Sequence, residues 1–481
     1  MKVSTITRTG TVGRAALPGL AIAGSALIVL TQTGLWPALY VLLAVPVGAA
    51  LLLLSRRDAV TVLGVYLGFL VIIPARFAIA AYSGSLTPAV IAGLVALWIW
   101  ACFRVVPGLG LASRPQPLRF VVLFLLWATA VSWALAFVRP LPDVEVRSAL
   151  IGFLLLASAC GPALLAADGI RTKERLDTLL RWLVLGAGLV AVVGIIQFAF
   201  GFDLSRFLRL PGLVAGSVAG ESFIDTRSVL RRVQGTAAHP IEMAVFAGMV
   251  LPLALHYARA SVSGTWERRG WWACTGLLLV SIPLTVSRSG IVALAIVALV
   301  VLPTWPWRER VTALAALAVA AVALRFAVPG LVGTLRGLFA YFGSDPSITH
   351  RTGDFGPALA YVAQAPWFGR GFHTFIPRYY LFIDDQYLLS LIETGVVGLA
   401  AIVSVLAVGL VLARGARRIS TDARTRDLAQ ALFASLLVAT VSFATFDVLS
   451  FSLVTGTTFL LLGCAGALWR MERSWAEWRA G

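Results

Sequence analysis

The sequence has few charged residues and little else that water would solvate. Only 13% of its 481 residues are charged, whereas 59% are hydrophobic, and the mean hydropathy is +0.90. A typical soluble domain has about 25% charged residues. The composition therefore excludes a water-soluble globular protein and predicts an integral membrane protein.

Cysteine is also scarce. The four cysteines, Cys102, Cys160, Cys274 and Cys464, lie in or beside apolar segments and show no paired spacing. This excludes a disulfide framework and a cysteine-based metal site. We expect the protein to work without a metal or another cofactor.

The charge is strongly unbalanced, with a formal net charge of +17. A nucleic-acid-binding protein gathers its basic residues on one face of a folded domain. Here they lie in short loops between hydrophobic runs. The sequence therefore predicts anionic lipid headgroups as partners and no nucleic acid.

Apolar runs long enough to span a bilayer follow one another along nearly the whole chain. We expect an all-α, polytopic bundle of about 12 to 14 transmembrane helices that forms a single membrane domain over residues 1–481. The predicted spans are 15–33, 37–54, 60–80, 87–103, 118–137, 147–166, 178–200, 240–258, 271–286, 290–304, 311–328, 385–412, 427–445 and 450–469.

The distribution of basic residues predicts the orientation. Most of the 39 lysines and arginines fall on one side of the predicted spans, whereas the loops 34–36, 81–86 and 446–449 have none. Because cytoplasmic loops are rich in lysine and arginine, both termini are predicted to be cytoplasmic. Segment 470–481 is predicted to be a cytoplasmic interfacial tail.

Two of the predicted extracytoplasmic loops, 201–239 and 329–384, are much longer than the others. Long loops usually exist for function. We therefore expect the active face on that side.

Two candidate motifs carry arginine near predicted span ends. The first loop closes on RRVQGTAAHP, which contains Arg231, Arg232 and His239. The sequence SRSG places Arg288 between two apolar helices. An arginine at such a depth suggests function by default, and the alternative is a side chain that snorkels to the interface.

A third motif lies in and after the second long loop. It comprises His350 and Arg351, then APWFGRGF with Arg370, and then Asp384 and Asp385 before a helix. Capping of that helix is the alternative role for the two aspartates, and we expect one of them to do only that.

These residue types suit a reaction at a lipid-linked diphosphate. Guanidinium groups pair bidentately with phosphate oxygens, and diphosphate leaves readily once its charge is stabilised. An acceptor hydroxyl needs a general base, for which the candidates are Asp385, Asp384, His350 and His239. A metal-dependent route would want paired outer carboxylates, and we interpret the nearest pair, Asp143 and Glu145, as a solvated turn.

Together, the motifs resemble the O-antigen ligase and polymerase superfamily over about residues 190–400. The resemblance implies a helical membrane fold of the GT-C type. It further implies a glycosyltransferase that moves a glycan from a polyprenyl diphosphate to a glycan or glycolipid acceptor outside the bacterial cytoplasmic membrane. The family does this with inversion and without a metal.

The resemblance also implies roles for individual residues. Arg232 and Arg288, with Arg231 beside them, would hold the diphosphate, and Arg351 would contact phosphate or organise its loop. The ligase pattern has His-Asn where this chain has Asp385 and Gln386, so the chain looks more like polymerase-type members. Asp385 is then the candidate base or acceptor-orienting group, with His350 as an alternative source of imidazole.

Two other functions stay open. A transporter or flippase of lipid-linked oligosaccharide would also have many spans, but it should carry ionisable groups near the bilayer midplane. The candidates for such charges are few, chiefly Arg76 and Glu242. A non-catalytic partner in envelope assembly is the other alternative.

Overall fold

The computed structural model describes residues 58–79, 86–105, 115–202, 213–215, 226–227, 230–340 and 355–480. The predicted spans 15–33 and 37–54 lie outside these residues. The described residues are overwhelmingly helical, which confirms the predicted all-α membrane bundle.

Fourteen α-helices occur in the described part of the chain. They are α1 (Ala59–Ile72), α2 (Pro88–Val105), α3 (Pro117–Ala136), α4 (Asp143–Gly169), α5 (Lys173–Phe200), α6 (Pro240–Ala260), α7 (Trp266–Leu284), α8 (Arg288–Val301), α9 (Trp307–Ala327), α10 (Leu331–Ala340), α11 (Phe355–Gln364), α12 (Gln386–Ile419), α13 (Ala423–Ser442) and α14 (Ser452–Ala480).

Four short strands form two antiparallel pairs. Strand β1 (Phe77–Ile79) pairs with β2 (Leu213–Ala215), and β3 (Thr226–Arg227) pairs with β4 (Leu230–Arg231). Strands β2, β3 and β4 all belong to the first long loop, so that loop contains local structure of its own.

The predicted span 60–80 is too long at its C-terminal end. Helix α1 ends at Ile72, because Pro74 disfavours helical backbone in the residue before it and Ile73 is extended. Arg76 consequently lies in the turn between α1 and β1 and not in mid-span as predicted.

Eight helices of the described chain are long and apolar enough to cross a membrane: α2, α3, α4, α5, α6, α9, α12 and α14. Helices α1 and α8 are apolar but shorter. Helices α6 and α14 form the centre of the bundle, since 89% of the apolar window of each is buried.

The two central helices, α6 and α14, start next to each other at one end of the bundle. The carboxylate of Glu242 is fully buried and accepts hydrogen bonds from the Ala238 and Leu453 amides, both at 2.7 Å. Glu242 therefore satisfies amides at the starts of α6 and α14, whose first turns otherwise lack partners. It lies in the first turn of α6, not in mid-span as predicted, and its role is structural.

The contacts between helix ends form two sets, one at each end of the bundle. Ion pairs join the ends predicted to be cytoplasmic, namely Arg119 with Asp168, Lys173 with Glu472 and Arg259 with Asp427. Hydrogen bonds join the ends predicted to face outward, namely Ala75 to Thr236, Arg232 to Thr285 and Gln386 to Phe443. We call the second set the outer end. Helix ends assigned to one side from the sequence thus lie together, while the orientation across a membrane stays a prediction.

Candidate functional site

The neighbouring residues Arg231 and Arg232, at the end of the first long loop, direct their side chains to different helix ends. Arg231 is exposed, and its guanidinium lies 3.5 Å from the Phe198 carbonyl at the end of α5. Arg232 is only 9% exposed and donates from Nε to the Thr285 carbonyl at 3.1 Å. Successive side chains of an extended segment face opposite ways, so only Arg232 is directed at the turn before α8.

That turn positions Arg288. Val286 has a φ of 49°, an unfavourable conformation for a β-branched residue. The chain then becomes extended at Ser287, and Arg288 is the first residue of α8, half-buried. A helix N-terminus carries partial positive charge and attracts anions. Arg232 therefore lies against the turn that leads into Arg288 and the start of α8, at the outer end.

His239 caps the following central helix. It is the N-cap of α6, and its Nδ1 accepts a hydrogen bond from the Ile241 amide at 3.1 Å. An imidazole nitrogen that accepts a hydrogen bond carries no proton, so in a neutral ring the proton is on Nε2. The basic nitrogen of His239 is thus already engaged by the backbone.

Asp385 is also a cap. Its Oδ1 accepts hydrogen bonds from the Tyr387 and Leu388 amides, at 2.8 and 3.1 Å. The capping role expected for one of the two aspartates therefore falls on the residue that the resemblance favoured as base. Asp384, the preceding residue, is half-buried.

Hydrogen bonds of Gln386 connect the start of α12 to the chain between α13 and α14. This buried residue donates its backbone N–H to the Phe443 carbonyl at 2.8 Å, and its Oε1 accepts from the Leu449 amide at 2.9 Å. Its Nε2 donates to Ser390 Oγ at 3.1 Å. We refer to residues 443–451 as the α13–α14 turn.

Sequence reasoning missed Asp447, which lies in the α13–α14 turn. This carboxylate forms a hydrogen bond with the Ser450 side chain, and its pKa is raised to about 6, mainly by burial and further by the negative charge of Asp384. In the sequence, the loop 446–449 is distinguished only by its lack of basic residues. The available signal was a single acidic residue inside the apolar run FATFDVLSF.

The loop before α12 docks on a break in that helix. Gly395 has a φ of 65° within α12, and Gly369 in the loop has a φ of 67°. The amides of Gly371 and Val396 donate across the junction to the carbonyls of Glu393 and Pro366, both at 2.9 Å. The PWFGRG and ETG motifs are therefore two halves of one backbone junction, and their glycines are needed for the close approach.

Arg370 and Glu145 form a buried ion pair beside this junction. The Arg370 guanidinium is 3.3 Å from Glu145 and 4.1 Å from the centroid of the Tyr380 ring, and Glu145 is only 3% exposed. Tyr380 also donates to Glu145, and burial together with this bond raises the pKa of Tyr380. The prediction of a solvated turn is wrong for Glu145, because an arginine from a distant loop neutralises it. Asp143 is exposed as expected.

A second missed group is His373, in the same loop. Its Nδ1 lies 2.8 Å from Ser148 Oγ, its ring packs against Gly152 of α4, and burial lowers its pKa. The histidine is therefore held neutral on the α4 side of the junction. The predicted candidates His350 and Arg351 lie outside the described residues.

No metal centre emerges from the part of the chain that the structure describes. No group of three or more His, Cys, Asp or Glu side chains there could hold a metal ion. The arrangement offers instead two arginines, a helix N-terminus and several carboxylates at one end of the bundle. Such a set can bind an anionic leaving group and accept a proton.

Comparison with protein families agrees with the motifs. Residues 273–403 match the family model described as O-antigen ligase. This segment of the chain is thus similar to the O-antigen ligase domain. It begins in α7 and ends in α12, so it includes Arg288, Arg370 and Asp385. The resemblance to the O-antigen ligase and polymerase family is thereby confirmed. No curated protein matches the chain.

Proposed function

We propose that the protein transfers a glycan from a polyprenyl-diphosphate carrier to an acceptor sugar at the extracytoplasmic face of the bacterial cytoplasmic membrane. The product is a lengthened or ligated polysaccharide, and the transfer inverts the anomeric centre without a metal. The O-antigen ligase domain supports a membrane protein that handles glycans. The donor, the inversion and the location belong to the proposal.

The observation that carries this proposal is the convergence of Arg232 with the start of α8. Arg232 comes from the first long loop, Arg288 begins α8, and the Thr285 carbonyl joins the two segments. A lipid diphosphate lies at headgroup level and carries at least two negative charges, which two guanidinium groups and a helix N-terminus match.

In this mechanism the arginines stabilise the departing diphosphate. As the bond between the anomeric carbon and phosphate oxygen breaks, negative charge grows on the polyprenyl diphosphate, and preorganised cations lower the energy of that transition state. A carboxylate at the outer end removes the proton of the acceptor hydroxyl. Asp385 is the carboxylate proposed from the resemblance, either for this step or for orienting the acceptor.

The other predicted residues have supporting roles in the proposal. Arg351 and Arg231 extend the positive field around the donor, and His350 is the second candidate base. Arg370 is already paired with Glu145, so we propose that it shapes the loop over the acceptor. Anionic lipids bind the arginine-rich cytoplasmic end, where both termini lie.

Transport of the lipid-linked glycan fits the structure less well. The two charges first assigned to mid-span positions are Arg76, in a turn, and Glu242, at a helix start with both oxygens bonded to amides. Neither provides an ionisable group at the midplane of a transport pathway.

The decisive test compares surface glycans in a deletion strain that carries wild-type protein or single variants. Arg288→Ala should insert normally but fail to restore polymer, with donor accumulating on the outer leaflet. Arg147→Ala, an exposed arginine near the start of α4, is the matched control and should restore wild-type chain lengths. Full rescue by Arg288→Ala would remove the proposed site, and donor trapped on the inner leaflet would favour a flippase.

A further inference from the structure

The α13–α14 turn contacts three of the motifs at the outer end. Thr445 Oγ1 lies 3.3 Å from Ser289 Oγ, beside Arg288. Phe443 and Leu449 are bonded to Gln386, beside Asp385. The ring of Phe451 lies 6.1 Å from that of His239. This turn, which is outside the matched O-antigen ligase segment, is therefore the physical junction of the site.

Asp447 lies in the middle of that junction. It is half-buried, and a short 3₁₀ turn, Val448–Ser450, follows it directly. The Ser450 side chain bonds to its carboxylate, and the Ser450 amide donates to its carbonyl at 3.0 Å. These contacts fix the carboxylate within a turn that is itself anchored on both sides by Gln386.

Asp385 already has a structural role as a helix cap. Its Oδ1 serves the Tyr387 and Leu388 amides, and this capping stabilises the start of α12. Protonation of Asp385 would weaken the cap at the point where the α13–α14 turn is attached. Asp447 caps no α-helix, so it can change its protonation state without that cost.

We propose that Asp447 is the general base of the transfer, and that Asp385 positions the segment around it. This assignment rests on the proposed function. The acceptor oxygen forms a bond to the anomeric carbon as the bond from that carbon to the phosphate oxygen breaks, and the electron pair of that bond leaves with the polyprenyl diphosphate. The hydroxyl proton passes to the Asp447 carboxylate, which later returns it to water.

The charged surroundings of Asp447 suit this step. The titratable groups on the elements packed against its turn include Asp384, Asp385, Tyr387 and Glu393 around α12, His239 and Glu242 at α6, Arg288 on α8, and Tyr66 on α1. Burial and the charge of Asp384 raise the pKa of Asp447 to about 6. The carboxylate is thus more basic than an ordinary aspartate and still ionised at pH 7, as a general base requires.

The test uses full-length protein in proteoliposomes fused with membranes of the deletion strain, which supply the natural donor and acceptor. Asp447→Asn should reduce transfer at least 100-fold, the scale of a lost general base. Binding of undecaprenyl diphosphate, used as the donor-site probe, should stay at the wild-type level. Asp143→Asn, an exposed aspartate at the same end of the bundle, should transfer like wild type.

Asp385→Asn is the comparison that separates base from positioning residue. Asparagine caps helices as well as aspartate does, so this variant keeps the cap and should lose less transfer than Asp447→Asn. Wild-type transfer should fall as the pH drops through about 6, whereas the residual transfer of Asp447→Asn should lack this acidic limb.

The outcomes distinguish this inference from the proposed function. If Arg288→Ala abolishes transfer while Asp447→Asn equals Asp143→Asn, the base assignment fails and the function stands. If neither variant differs from wild type, the function fails as well. If Asp447→Asn does not fold, the wild-type profile decides, and a rate that is constant between pH 5 and 8 overturns the assignment.

Discussion

Arg232 donates a hydrogen bond from Nε to the carbonyl oxygen of Thr285, three residues before Arg288. The bond connects a loop that precedes α6 with the turn that precedes α8. Two arginines that are 56 positions apart in sequence are thereby fixed relative to one another.

Arg232→Ala should weaken binding of undecaprenyl diphosphate by at least tenfold. The change removes a charge-assisted contact with the diphosphate and the hydrogen bond to the Thr285 carbonyl in the turn before α8. Arg232→Lys should recover only part of this loss, since an ammonium group cannot replace the planar fork. Titration of the detergent-solubilised protein with the lipid measures the effect. Arg147→Ala should bind like wild type, and an equal loss in that control would mean that net charge alone governs binding.

Gly395→Ala and Gly369→Ala should each lower the melting temperature and abolish transfer. A Cβ at Gly395 would lie 2.4 Å from the Trp367 carbonyl carbon, and one at Gly369 would lie 2.2 Å from that of Glu393. Both positions also have positive φ, which costs alanine about 1 kcal/mol or more. Gly356→Ala is the control, because nothing lies within 4 Å of its Cβ position. A tolerated alanine at Gly395 would show that the junction is not closely packed in the membrane.

Glu145→Gln should destabilise the protein by about 3 kcal/mol, the scale for breaking a buried ion pair. The change leaves Arg370 and its neighbour Arg139 without their carboxylate, and desolvation together with Arg370 already lowers the pKa of Arg139. Thermal unfolding in detergent measures the loss. Asp143→Asn, two residues earlier and exposed, should change stability by less than about 0.5 kcal/mol. Equal melting temperatures for the two variants would show that the pair is solvated.

Asp447→Asn should raise the melting temperature at pH 8 while it lowers transfer. The pKa of Asp447 is raised in the folded protein, from 3.8 to about 6. The folded state therefore disfavours the charged form, and the free energy of unfolding falls as the pH rises from about 4 to about 6 and stays lower above that. Removing the charge restores this stability, so the gain at pH 8 should exceed the gain at pH 4.

Asp422→Ala is a control for that experiment, because it should change the melting temperature at pH 8 in the opposite direction. Asp422 caps α13, and its hydrogen bonds with Thr425 lower its pKa. Its loss should therefore reduce the melting temperature at pH 8. If Asp447→Asn also reduced the melting temperature at pH 8, the carboxylate would be stabilising, contrary to its raised pKa.

Sequence reasoning placed the helices well because hydrophobicity is read locally. Most predicted spans correspond to observed helices within a few residues. The exceptions include 60–80, which extends past Pro74, and 450–469, because α14 continues to Ala480. The family could also be recognised from the sequence, because SRSG, PWFGRG and the Asp385 segment occur in that order along the chain. Charge was harder to interpret, since a local pattern cannot reveal a distant partner. The sequence predicts a solvated Glu145, but Arg370, 225 positions away, lies beside it.

The sequence by itself determined that this chain belongs in a membrane, which segments form helices and which loops carry the arginines, because these properties depend on composition and neighbours along the chain. Only the tertiary structure decided which charges meet. It directed Arg232 and Arg231 to different places, and it made Asp385 a helix cap. It also paired Arg370 with Glu145 and placed Asp447 in the turn that joins the motifs. Electrostatic interactions act through space and depend on burial, so the packing of the helices assigns each charged group its partner.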